Sequence, residues 1–162
     1  MNATPAEIPV ICSLADTTWR LTYSSIISIE QIEFMLATLY NEKELEKLML
    51  EGSQRFLILK DKQGHQGFAS FGPRKEEPGV FKLHKLYVLP QNQGKGYGSS
   101  LIAETKRQVL MEGGQILDLN VNRNNQALEF YKKLGFKIIR EEDIPIGQYW
   151  MNDYVMRLRI LD

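Results

Sequence analysis

Three glycines alternate within Gln91-Asn92-Gln93-Gly94-Lys95-Gly96-Tyr97-Gly98, directly after the apolar Leu86-Tyr87-Val88-Leu89-Pro90 and directly before Ser99-Ser100-Leu101-Ile102-Ala103. The order reads as strand, glycine-rich turn and helix. Such a junction leaves the first N–H groups of the helix without intrahelical partners. Alternate glycines let the backbone adopt positive φ and approach a ligand with no Cβ in between. The helix macrodipole adds the equivalent of roughly +0.5 charge there, and Lys95 brings a full charge to the rim. The chemistry is that of an anion cradle, and a diphosphate is its natural guest. A P-loop is excluded, because Lys95 is followed by Gly96 where a hydroxyl residue would be required. A dinucleotide fingerprint fits poorly, since the third glycine comes one place too early. On this segment alone, a glycine-rich turn without a ligand remains the alternative.

The elements that must position this loop follow from hydrophobic period and caps. After a short apolar segment at residues 8–12, Ser13-Leu14-Ala15-Asp16 resembles a helix start, with Trp19, Tyr23 and Ile26 recurring at helical intervals. Ser28 with Gln31 makes a capping box for a helix carrying Ile32, Met35, Leu36 and Leu39 on one face. Asn41 with Glu44 caps a third helix that stops at Gly52. The period then changes to two. Residues 55–59 and 67–71 read as an antiparallel hairpin, and residues 81–88 as the strand that enters the glycine loop. A helix from Ser99 to the Gly113-Gly114 pair, a strand at 116–121, a helix capped by Asn124 or Asn125 and closed by Gly135, and strands at 136–140 and 154–160 complete the chain. Helices first, then a mixed sheet interrupted by two helices, is an α/β or α+β arrangement.

Composition narrows the function classes. The chain has 162 residues, with twenty acidic and twenty basic side chains. It therefore reads as a single domain, and no global basic field favours nucleic acid. Cys12 is the only cysteine, so an internal disulfide is excluded. No segment approaches the ~18 apolar residues of a membrane span, and the N-terminus lacks the basic start of a signal peptide. The expectation is a soluble, cytoplasmic protein with no membrane or nucleic-acid partner, and a homodimer is compatible with it.

Three features together resemble the GNAT superfamily of N-acetyltransferases. Gln91-Asn92-Gln93-Gly94-Lys95-Gly96 matches that family's [QR]-x-x-G-x-[GA] loop, and Asn124-Asn125-Gln126-Ala127 running into Tyr131-Lys132-Lys133-Leu134-Gly135-Phe136 looks like its N-x-x-A…Y-x-K-x-G-F segment. One helix and one strand separate them, as in the family. The resemblance covers roughly residues 80–137 and implies a single acetyltransferase domain over 1–162, with acetyl-CoA as co-substrate and no metal. It implies a central mixed sheet splayed between the strands at 81–88 and 116–121. Pantetheine would pair with main-chain groups near Leu86, Tyr87 and Val88, and the diphosphate would sit on the amides of Gln93, Gly94, Lys95, Gly96, Tyr97, Gly98 and Ser99. Asn124 would lie near the pantetheine arm, and Tyr131 near the sulfur, where it would protonate the leaving thiolate. Read without the family, Tyr131 is a packing aromatic and Asn124 an N-cap.

Direct transfer asks for a neutral amine, stabilisation of an oxyanion and a leaving thiolate. The backbone N–H of Val88 is the expected oxyanion donor. Many family members carry a glutamate on the strand before the loop, but that strand here reads Lys82-Leu83-His84-Lys85-Leu86. His84 is the candidate base, because an imidazole accepts a proton near neutral pH; a water chain is the other option. More loosely, Trp19, Tyr23, Gln31 and Tyr40, with residues 147–156, look similar to bacterial spermidine/spermine N-acetyltransferases. Aromatics with Glu33, Glu141, Glu142 and Asp143 suit a polyamine. The alternative makes Trp19 and Tyr23 core residues and the acidic run a solvated turn. The acceptor is thus expected to be a small cationic amine or a protein amine. The competing class is a non-catalytic acyl-CoA-binding module.

Overall fold

The computed structural model describes residues 1–92 and 94–160. Helix α1 (Ile8–Tyr23) buries Ile8, Ile11, Leu14, Ala15, Thr18, Trp19 and Tyr23. The segment at 8–12 is its first turn rather than a separate element, because Pro9 falls where no helical N–H is needed. In α2 (Ile29–Leu39), Gln31 N donates to the Ser28 hydroxyl at 3.1 Å. In α3 (Glu42–Glu51), Glu44 N donates to Asn41 Oδ1 at 2.7 Å, and Gly52 ends the helix in the left-handed conformation. Both caps stand where the sequence places them.

Strands β1 (Arg55–Asp61), β2 (Gly64–Pro73), β3 (Val80–Val88), β4 (Ile116–Asn122), β5 (Lys137–Ile146) and β6 (Tyr149–Arg159) form one sheet in the order β1-β2-β3-β4-β6-β5. Among the described residues only β3 and β4 run parallel. The final hairpin is longer than its sequence suggests, and the acidic run 141–143 lies within β5 rather than in a turn. Helices α4 (Tyr97–Met111) and α5 (Ala127–Lys133) make the crossover from β3 to β4 and the connection from β4 to β5.

Two cores cover the two faces of the sheet. Ile11, Trp19, Met35, Leu45, Phe56 and Phe68 pack with α1 to α3 on one side; Leu57, Phe71, Leu83, Ile102, Leu117, Leu119 and Met156 pack with α4 and α5 on the other. Trp19 and Tyr23 are core residues, 3% and 6% exposed. The alternation of β4 sends Leu117, Leu119 and Val121 to the second core and turns Asp118, Asn120 and Asn122 toward the first. Asp118 is fully buried there. Arg74 Nε donates to its Oδ2 at 2.9 Å, Arg157 Nε donates to its Oδ1 at 2.7 Å, and Glu77 accepts from Arg157 at 3.1 Å. This ion cluster ties β4 and β6 to the β2–β3 connection beside the parallel β3–β4 pairing.

Candidate active site

The parallel pairing is short. β3 and β4 are in register from Val80↔Ile116 to Leu83↔Leu119 and then part, although β3 continues to Val88 and β4 to Asn122. His84 is the first β3 residue past the last pair, and it is also skipped by β2, whose Phe71 faces Leu83 while Ser70 faces Lys85. This bulge re-aims the strand where the sheet opens. Asn120 is the first β4 residue past the opening.

A cleft of about 980 Å³ enters the sheet there, lined by Leu86, Tyr87 and Val88 on one side, Asn120 and Asn124 on the other, the glycine loop and Tyr131. Thr18, Leu21, Thr22, Tyr23, Ser25 and Ile26 close it from α1 and the turn beyond. The structure thus brings His84, Leu86, Tyr87, Val88, Gly94, Gly96, Tyr97, Gly98, Ser99, Asn124 and Tyr131 to one cleft. Gln93 lies outside the described residues.

At the glycine loop the chain takes φ +88° at Gly94 and +79° at Gly96, values that favour glycine, and a Cβ at either would enter open space rather than protein. The first intrahelical bond of α4 is Ser100 N to Gly96 O at 2.9 Å, so the preceding amides at Tyr97, Gly98 and Ser99 stay outside the helical ladder. Lys95 N is the exception to the expected row of free donors, since it donates to Asn92 O at 3.2 Å. A polar scaffold holds the loop from below. The Tyr97 hydroxyl donates to Asp61 Oδ2 at 2.7 Å, Gln66 donates to Asp61 Oδ1 at 3.1 Å, and buried Asn92 donates to Gln66. Lys95 Nζ in turn donates to Asn92 Oδ1 at 3.1 Å. These contacts fix the cradle before any ligand arrives.

Asn125, rather than Asn124, caps the turn before α5: Ala127 N donates to its Oδ1 at 2.9 Å. Tyr131 is buried between Phe130 and Phe136, with edge-on ring contacts at 5.3 and 5.8 Å. Desolvation, and then the neighbouring Tyr23, push its pKa up. His84 is exposed within the cleft, yet enough protein surrounds it that desolvation leads a lowering of its pKa, followed by the charges of Lys82, Lys85 and Arg74. Water in the cleft screens an exposed ring and moderates this lowering. Lys85 donates to Gln54 Oε1 at 2.9 Å with its ammonium over the Tyr40 and Phe56 rings, and burial brings its pKa down to about 8.

Beneath the cleft, Trp19, Tyr23, Tyr40, Phe68 and Tyr87 form a cluster of tilted and edge-on rings with contacting centroids 4.4 to 6.4 Å apart. The Tyr87 hydroxyl sits between those of Tyr23 and Tyr40. Trp19 Nε1 lies beside the Tyr40 hydroxyl, but the geometry falls short of a hydrogen bond and leaves Nε1 without a partner. The acidic residues divide. Glu33 pairs with Arg20 at 2.6 Å, and Asp143 and Glu141 pair with Arg123 at 2.9 and 3.8 Å. Glu142 points to the other face of β5, where Asn120 Nδ2 donates to it at 3.4 Å and to Asp153 Oδ2 at 3.2 Å. Sequence reasoning passed over Asp153 and Asn120. Their signal was an acid at an inward position of β6, between Met151 and Val155, and an amide at the matching phase of β4.

A family model of the acetyltransferase (GNAT) domain matches residues 24–154. The chain belongs to the GNAT acetyltransferase family. A spermidine N(1)-acetyltransferase from Thermoplasma acidophilum is 26% identical over 134 residues, 82% of this chain and 83% of that protein. An uncharacterized N-acetyltransferase from Mycobacterium bovis is 38% identical over 76 residues, 46% of this chain and 49% of that protein. The chain thus spans about half the length of the mycobacterial relatives it matches. Among solved structures, the PaiA N-acetyltransferase from Thermoplasma acidophilum in complex with coenzyme A superposes with a TM-score of 0.84 at 24% identity, over 98% of this chain and 96% of that one. The likeness shows a shared fold over nearly the whole chain.

Proposed function

We propose that this GNAT protein transfers an acetyl group from acetyl-CoA to a primary amine by direct attack, with a small cationic amine such as a polyamine as the acceptor class. The observation that carries the reading is the conjunction at one cleft of the opened β3–β4 edge, the positive-φ glycine loop whose missing Cβ atoms leave open space, and Tyr131. The spermidine N(1)-acetyltransferase among its relatives supports the acceptor class. A [ribosomal protein bS18]-alanine N-acetyltransferase from Haemophilus influenzae, 34% identical over 98 residues, keeps a protein amine as the second reading.

In this reading the amides of Gly94, Gly96, Tyr97, Gly98 and Ser99 hold the diphosphate, with Lys95 adding its charge at the rim. The β3 edge at Leu86, Tyr87 and Val88, freed by the parting of the strands, offers main-chain groups to the pantetheine amides, with Asn124 facing them across the cleft. The donor supplies an activated acetyl thioester. Val88 N–H polarises its carbonyl. Tyr131, with its pKa raised, keeps its proton throughout physiological pH and donates a hydrogen bond to the departing sulfur. His84 is neutral at pH 7 and accepts a hydrogen bond, but its lowered pKa makes it a weak holder of the amine's proton. Its fitting role is to orient the amine or a relaying water.

The test is thiol release from acetyl-CoA with spermidine, spermine, amino acids and peptides, alongside CoA binding. Release with at least one amine, slowed several-fold in Tyr131→Phe while CoA binding holds, supports the reading. CoA binding without thiol release for any amine would leave an acyl-CoA-binding module instead.

A further inference from the structure

Asp153 is 7% exposed and carries no ion pair within 4 Å among the described residues. Its Oδ2 accepts from Asn120 Nδ2, whereas its Oδ1 is buried with no hydrogen-bond partner, and Asn120 Oδ1 is buried and unpartnered as well. Two desolvated acceptors on neighbouring side chains that already share one hydrogen bond are thus left without a donor, which is costly for buried polar groups. What they lack is a donor, and a cationic one suits a carboxylate better than water does. Their place is equally specific. Asp153 lies opposite Asn122 on β4 and Glu142 on β5, and Asn120, the first residue beyond the sheet opening, lines the cleft.

We propose that Asp153 and Asn120 form the acceptor-amine subsite, in which the substrate's ammonium seats between Asp153 Oδ1 and Asn120 Oδ1 and gives its proton to Asp153. This rests on the amine-acetylation reading above. Rotation of the half-buried Asn120 side chain at the cleft edge uncovers the two oxygens. One N–H bond of the ammonium breaks, its electron pair stays on nitrogen, and an O–H bond forms on Oδ1; the neutral amine then attacks the acetyl carbonyl. The groups that act on Asp153 are Asn120 from β4, Lys82 from β3, Glu142 from β5, Arg123 after β4 and Tyr23 from α1. Desolvation leads in raising the carboxyl's pKa, Glu142 raises it further, and Asn120, Lys82 and Arg123 oppose. A carboxyl so raised is better matched to holding a proton in transit than an ordinary aspartate.

Calorimetric titration of the CoA-saturated protein with spermidine, spermine and an alanine-terminated peptide tests the subsite directly. At least one of these amines binds wild type, and binds Asp153→Asn at least tenfold more weakly, while CoA affinity is unchanged. Asn120→Ala, which removes the second acceptor, weakens the same amine. With that amine as substrate, kcat/KM of wild type falls as pH drops through the carboxyl's raised pKa, and Asp153→Asn loses this limb together with about a hundredfold in rate. Equal amine binding and an unchanged pH profile in Asp153→Asn would overturn the proposal, as would failure of all three amines to bind wild type. Amine binding that depends on Asp153 with no thiol release would leave the subsite standing and refute acetyl transfer.

Discussion

Asp118 and Asp153 are buried carboxylates on the same face of adjacent, paired strands, only a few rungs apart, and their surroundings treat them in opposite ways. Asp118 receives Arg74 on one oxygen and Arg157 on both, with Glu77 completing the cluster. Asp153 receives one amide and leaves an oxygen bare. The saturated carboxylate lies alongside the stretch where β3 and β4 still pair; the unsaturated one lies beyond the point where they part. A buried charge with both oxygens engaged by arginines ties its neighbouring elements together. One left short of donors directly behind a cleft-lining side chain, as Asp153 is behind Asn120, is a candidate binding site.

The largest expected effect tests the saturated side. Asp118→Asn leaves two arginines facing a neutral amide and costs roughly 3 kcal/mol of stability, a fall in Tm of roughly 6–12 °C, measured by calorimetry. Its kcat/KM per folded molecule stays at the wild-type value. Asp153→Asn reverses the pattern, with activity down about a hundredfold and Tm at pH 7 at or above wild type. The sign follows from the raised carboxyl pKa. A raised pKa adds stability only where the group is protonated, so ionised Asp153 weakens the fold at pH 7. The difference between wild type and variant closes as pH falls below about 3.9, the unfolded value. Lower stability of Asp153→Asn at pH 7 would erase the contrast between the two sites.

Gly96→Val examines the donor side of the cleft. A branched residue at φ +79° is strained by about 1–3 kcal/mol, and its Cβ enters the open space proposed for the diphosphate. CoA affinity falls at least tenfold in a titration, while amine binding at Asp153 is retained. The smallest effect is at Tyr131→Phe, where loss of one hydrogen bond to the leaving sulfur lowers kcat about five- to tenfold with little change in KM. For His84→Ala the account predicts an unchanged acidic limb in the pH profile of kcat/KM; loss of that limb would move the proton from Asp153 to the imidazole.

Much of the donor side was legible in the sequence because its signals are local. Gly94, Gly96 and the strand before them announce the loop within ten residues, and the caps at Ser28 and Asn41 act over three. Tyr131 and Asn124 were placed through the family resemblance, and the fold brings both to the cleft. Longer-range features were not legible. Asp118 meets Arg74 and Arg157 across 44 and 39 residues, and nothing in its neighbours names those partners. The acidic run 141–143 looks like a solvated turn, yet strand alternation sends Glu141 and Asp143 to Arg123 and Glu142 toward Asn120. His84 looked like a base from its type alone; only the bulge and the cations around it reveal how weakly it would hold a proton.

The most direct test is a side-by-side assay of thiol release from acetyl-CoA, per folded molecule and across pH, for wild type, Asp118→Asn and Asp153→Asn with one amine substrate. The account predicts wild-type kcat/KM for Asp118→Asn up to its lowered melting temperature, and for Asp153→Asn a loss of about a hundredfold together with the acidic limb. Equal activities and equal pH profiles in the two variants would contradict it.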